Sequence, residues 1–167
     1  LLDFLAGGIT QTVLAGATLT FTPKLLWMFW SGLDDATDAV SATDSMLCGF
    51  GAAVSPTSRW FVSGRSLDAA LNADASCNIN TSGVLETIAA NGTEDGLIDI
   101  NAFNATNVDF IVDNALPVAL TASIVYFGGD IEAVLGTFAE PGAAGDQDVT
   151  STGFGRPVCG LFAAAPP

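Results

Sequence analysis

The chain has 167 residues, half of them hydrophobic and 13% charged, and eighteen acidic side chains against four basic ones give a net charge of −14. That length suits one domain with its own core, and the composition excludes intrinsic disorder. Lys24, Arg59, Arg65 and Arg156 are too few and too scattered to displace phosphate counterions or hold an anionic membrane, which excludes nucleic-acid and polybasic membrane binding.

Eighteen glycines and seven prolines imply frequent turns, and alternation predicts strands between them. Residues 17–22 place Leu19 and Phe21 on one face and threonines on the other. Lys24 to Trp30 is apolar on both faces beyond its first residue, so it reads as a strand covered on both sides. Met46 to Val54, Arg59 to Gly64 and Val84 to Ala90 follow. Asp95 to Phe103 sets Ile98, Ile100 and Ala102 against Asp99 and Asn101. In Asn107 to Val112, Val108, Phe110 and Val112 oppose Asn107 and Asp109. Ala119 to Phe127, Ile131 to Phe138 and Val158 to Ala164 complete about ten short antiparallel strands. Turn signals fall at Gly7-Gly8, Ser55-Pro56, Asn91-Gly92, Asp95-Gly96 and Gly128-Gly129. Helix is scarce: Ser66 to Leu71 offers one or two turns with Ser66 as N-cap, or an ordered loop. The expected fold is one all-β domain over residues 1–167, a β-sandwich or jelly roll. A pseudo-repeat relates residues 9–31 to 146–165, each reading as a Thr-rich strand, a Phe-to-Pro corner and an apolar strand.

The longest loop, Ser31 to Ser45, carries Asp34, Asp35, Asp38 and Asp44. These are oxygen ligands suited to Ca²⁺, but without the spacing of a calcium loop, so the expectation is a solvated acidic loop and no metal. Cys48, Cys77 and Cys159 have no C-x-x-C spacing and read as small buried hydrophobes, with a Cys48–Cys77 bridge as the alternative. The sequons at Asn80, Asn91 and Asn104 read as turn chemistry. No apolar run approaches the ~20 residues of a transmembrane helix, and the start, Leu1 to Leu5, lacks the basic n-region of a signal peptide.

Catalytic chemistry finds no foothold. Histidine is absent, and with it the commonest general base and a leading metal ligand. There is no G-x-S-x-G elbow, phosphate-binding loop or dinucleotide fingerprint. Glu86, Glu94, Glu132 and Glu140 could supply a glycosidase pair but read as members of solvated faces and turns. No catalytic, cofactor-binding or metal residues are assigned, and no enzyme is expected. The aromatic residues Trp27, Phe29, Trp30, Trp60 and Phe61 read as core, with subunit contact or sugar stacking as alternatives.

Phe21 to Trp30, Ser63 to Ala70, Asp95 to Phe103, Val125 to Ile131, Gly136 to Phe138 and Gly145 to Thr150 together resemble a poorly characterised group of β-rich structural proteins of tailed bacterial and archaeal viruses. The resemblance covers most of residues 9–165. It implies a virion structural protein at the particle surface, either a capsid decoration or cement protein or a tail-fibre component. Its partners would be itself, with a trimer as the guessed oligomer, and other virion proteins such as the major capsid or tail proteins. The alternatives are a glycan-binding or adhesive surface module and a cell-surface filament subunit.

Overall fold

The computed structural model describes residues 9–13, 19–33, 46–67, 74–89, 91–117, 120–136, 138, 142–146, 148, 155 and 159–161. Among them lie nine strands and no helix: β1 (Ile9–Val13), β2 (Pro23–Leu33), β3 (Met46–Ser55), β4 (Ser58–Leu67), β5 (Asp74–Asn80), β6 (Leu85–Ile88), β7 (Glu94–Phe103), β8 (Val108–Asn114) and β9 (Thr121–Gly128). They form two wholly antiparallel sheets, one ordered β1-β8-β7-β6 and the other β5-β4-β3-β2-β9.

Period-two patterning decides which side chains meet. From β2, Leu26, Met28 and Trp30 point inward; from β8, Val108, Phe110 and Val112 do the same; all six are buried. Leu47, Ala53 and Phe61 of the five-stranded sheet and Leu85, Ile98 and Ile100 of the four-stranded sheet join them in one hydrophobic cluster. Removing each such large side chain from water contributes about 1.5–3 kcal/mol before the entropy cost of ordering it.

Two glycines set how closely the layers approach. A Cβ on Gly51 would overlap the backbone carbonyl of Val84, which lies just before β6. A Cβ on Gly49 would overlap the indole of Trp30, its partner in the β2–β3 ladder. Val84 is held in place by its own amide, which donates to the Ile98 carbonyl at 2.8 Å.

Several expectations are corrected. Nine strands lie among the described residues, where about ten were expected. Leu19 to Thr22 form no strand despite their alternation, and the Leu19 amide donates to the Thr106 carbonyl at 3.0 Å. The described residues of 131–138 and Cys159 to Leu161 also lie outside any strand. Asp95-Gly96 is no turn: both residues lie within β7, where Gly96 pairs with Thr87. Ser66 caps no helix, because it pairs with Met46 and Ala75 inside β4; residues 68–73 lie outside the described residues. Ser31 to Leu33 belong to β2 and not to the expected loop, and residues 34–45 lie outside the described residues. The second half of the pseudo-repeat lies mostly outside the described residues, as does the Gly7-Gly8 signal. The Ser55-Pro56 signal is met by the hairpin closed by the Ser55–Ser58 pair, and Gly92 and Gly129 take φ of 79° and 76° at their turns.

Gly51→Ala is expected to lower stability by about 2 kcal/mol or more, because the obstructing atom is backbone and cannot swing aside. A denaturant midpoint unchanged from wild type would show that the sheets are not in this close register.

Candidate functional site

The inward face of β4 carries, besides Phe61, a line of polar residues that ties the two sheets together. Arg59 Nε and Nη2 donate to the two carboxylate oxygens of Asp99 on β7, each at 2.6 Å, and Nη2 also reaches the Ser82 carbonyl at 3.1 Å. Farther along, Ser63 Oγ donates to Glu86 Oε2 at 2.6 Å, and Asn78 Nδ2 donates to both Glu86 oxygens at 2.8 and 3.0 Å. Arg65 Nη1 donates to the Ile88 carbonyl at 3.0 Å. Paired, hydrogen-bonded charges of this kind are tolerated inside a fold, whereas stranding one by removing its partner costs about 3–5 kcal/mol.

Glu86 and Asp99 were expected on solvated faces, yet both are buried. Their burial follows from Arg59, Ser63 and Asn78, partners that sit in other strands and leave no local mark in the sequence. Ser63 and Glu86 are each 2% exposed, so this hydroxyl–carboxylate contact is closed to a substrate and serves cohesion. Glu94 and Glu132 are exposed, and Glu140 lies outside the described residues. Burial pushes the Glu86 carboxyl above 4.5, the Ser63 and Asn78 hydrogen bonds oppose that rise, and the Glu94 charge adds to it. Tyr126, whose buried hydroxyl has no hydrogen-bond partner among the described residues, is pushed up to about 12 by burial.

The other face of the five-stranded sheet looks away from the core. The ladder registers place there Ser123, Val125 and Phe127 from β9, Leu25, Trp27, Phe29 and Ser31 from β2, and Met46, Cys48, Phe50 and Ala52 from β3. From β4 and β5 they add Trp60, Val62, Gly64, Ser66, Ala75, Cys77 and Ile79. None of these positions is Asp, Glu, Lys or Arg, in a chain that carries twenty-two such residues. The rings form a continuous chain: Phe127 to Trp27 at 4.7 Å, Trp27 to Phe50 at 6.3 Å, Phe50 to Phe29 at 4.8 Å and Phe50 to Trp60 at 5.2 Å between centroids. Phe29, Val125 and Ile79 remain 43%, 42% and 47% exposed. With strands ~4.8 Å apart and ~3.4 Å per residue, the face spans roughly 350–400 Å² in projection. Apolar patches of that order on soluble proteins are commonly interaction sites.

The cysteines depart from expectation. All three are free thiols; Cys77 and Cys159 are exposed and Cys48 is half-buried. Cys48 and Cys77 lie on this outer face on either side of Gly64, two ladder spacings apart. That separation, ~9–10 Å between Cα atoms, exceeds the ~7 Å limit for a disulfide. Burial pushes the Cys77 thiol up, and neighbouring Cys48 adds to the rise. The sequons match turn chemistry at Asn91, whose Oδ1 accepts from the Thr93 amide and hydroxyl, and at Asn104, whose amide bonds the Asn107 carbonyl. Asp34, Asp35, Asp38 and Asp44 lie outside the described residues.

No family model matches the chain, and neither the curated proteins nor the solved structures contain a significant match.

Glu86 gives the fold a pH dependence of defined sign. Its folded value lies above 4.5, so its contribution is full below that value and is lost as pH rises through the raised folded value. Glu86→Gln keeps the shape without the ionisation, so it is expected to lose less stability than wild type between pH 4.5 and neutrality. Urea midpoints across that range check this, and parallel wild-type and variant curves would overturn it.

Proposed function

We propose that the chain is a non-enzymatic structural component of a virus particle. In this reading its two sheets stack as a β-sandwich that docks at the particle surface as a capsid decoration or tail-fibre subunit and acts as a homo-oligomer. The observation that carries the assembly role is the charge-free aromatic face of the five-stranded sheet. Such a sheet, apolar on both sides, has one face satisfied by its own core and the other available to a neighbour. The viral setting comes from the motif resemblance of Phe21 to Trp30, Asp95 to Phe103 and Val125 to Ile131. Docking of this kind proceeds by area burial and mass action, without a chemical step. Purified particles of the parent virus are expected to contain the chain at fixed stoichiometry, measured by mass spectrometry. Its absence from clean particles overturns the viral reading.

The half-exposed rings of Trp27 and Trp60 favour a second reading, a glycan-binding module that stacks sugars on aromatic platforms. Against it stands the poverty of hydrogen-bonding side chains beside those rings: among the described side chains the face offers the hydroxyls of Ser31, Ser66 and Ser123 and no amide or carboxylate. Glycan-array binding lost in Trp60→Ala, with an unchanged melting temperature, would establish that reading instead. The expected result is no glycan signal from either protein.

A further inference from the structure

We infer that the occupant of the outer face of the five-stranded sheet is a second copy of this chain, packed face to face about a two-fold axis. The inference rests on the assembly role proposed above and names the partner for the same surface.

Charge is the first argument. Each copy carries −14, so two copies approaching through acidic surface oppose like charges. The sheet face of Leu25, Trp27, Phe29, Phe50, Ala52, Trp60 and Val62 holds no ionisable carboxylate, and it lets two copies touch without bringing acid against acid. The four cations do not alter this. Arg59 and Arg65 are turned inward with the partners described above, Lys24 donates to the Ile131 carbonyl at 3.1 Å, and Arg156 lies outside the described residues.

Chemistry is the second argument. The partner must present an apolar surface with few hydrogen-bonding groups, because anything more polar would be desolvated without compensation. This chain supplies such a surface itself. A self-complementary patch is used up by one copy, so the assembly closes at two. Stacked sheets lie ~10 Å apart, a spacing that lets Phe29 and Val125 of each copy interdigitate with the opposing rings.

Area sets the strength. Two faces of roughly 350–400 Å² give about 700–800 Å² in total, below the ~1,200 Å² of stable complexes. The pair is therefore expected to be a weak, reversible contact. Linked through a particle, contacts of that strength add by avidity.

Sedimentation equilibrium of the full chain tests this. A monomer–dimer equilibrium is expected, and raising NaCl from about 0.05 to 0.5 M tightens it by screening the repulsion between the acidic remainders. An interface built on ion pairs would loosen instead, which would overturn the inference. Phe29→Asp and, independently, Val125→Asp are expected to weaken association at least tenfold with unchanged circular dichroism. Val134→Asp serves as the control, being 45% exposed but outside both sheets, and is expected to leave the equilibrium unchanged. A chain that stays monomeric at about 0.5 mM, forms a trimer, or dimerises equally well with either face variant overturns the inference. A lasting monomer would also remove the homo-oligomer from the proposed function, but none of those outcomes touches the particle location, whose own test is presence in purified particles. Conversely, a dimer of this kind in a chain missing from particles leaves the pairing standing and removes the viral setting.

Discussion

A sheet that is apolar on both faces must be covered on both, and the rest of this structure is arranged around that demand. β2 shows it within one strand: Leu26, Met28 and Trp30 are buried against the four-stranded sheet, while Leu25, Trp27 and Phe29 alternate with them on the far side. Had β2 been half-polar, as β8 is with Asp109 and Asp113, the five-stranded sheet would have presented a wet outer face and the chain would carry no evident surface for association. Instead the aromatic rings pack on one another across β9, β2, β3 and β4, which lowers their exposure without removing it. Edge-on and tilted ring contacts add about 0.5–1.5 kcal/mol each beyond area burial, so the outer face is organised before any partner arrives.

The core on the other side is held by two devices of different character. Glycine at positions 49 and 51 removes the side chains that would keep β3 from Trp30 and from the Val84 carbonyl, and so brings the sheets to close packing. The polar residues of β4 then fix which packing is adopted. Hydrophobic contact is non-directional and tolerates sliding, whereas a bidentate Arg59–Asp99 pair and a carboxylate bonded by Ser63 and Asn78 do not. A slip of one residue along β4 would turn Arg59 and Ser63 to the outer face, leaving Asp99 without its cation and Glu86 without its hydroxyl donor. Register is thereby penalised from both sides, and the outer face stays free of charge because the charges of β4 are committed inward.

Much of this architecture was legible in the sequence. Alternation located β7 and β8, and apolar runs located β2, β3, β4, β6 and β9, because in those segments side-chain burial and local pattern point the same way. The exceptions share a cause. β5, Asp74-Ala-Ser-Cys-Asn-Ile-Asn, has little strand propensity and little alternation; as an edge strand it is held by its ladder to β4, which no local window contains. Leu19 to Phe21 alternates as a strand should but finds no ladder partner and stays irregular. Asp95-Gly96 has the chemistry of a turn, yet a side chain at Gly96 would collide with Leu116 and the Thr87 hydroxyl, so glycine serves close packing there. The buried acids were missed for a similar reason: a carboxylate is read as solvated unless its cation or donors are visible, and Arg59 lies forty residues from Asp99. The outer face was half legible. The apolar run of β2 showed that two coverings were needed, but the contributions of Phe50, Trp60, Val62 and Ile79 emerge only when the strands are laid side by side.

In the proposed assembly, charge and apolar surface together would make association selective in a way neither would alone. An aromatic face on a neutral protein invites indiscriminate contact and aggregation. Surrounded by an acidic exterior, the same face is protected at long range by repulsion and becomes attractive only within a few ångströms, when it is aligned with a complementary uncharged patch. Misaligned approach sets carboxylates against hydrophobic surface or against each other, and both are unfavourable. The repulsion that weakens each contact also narrows the set of geometries in which contact is permitted. A subunit that must stay soluble when free and yet occupy defined positions on a repeating surface needs that combination, in which specificity comes from exclusion and affinity from the number of copies assembled.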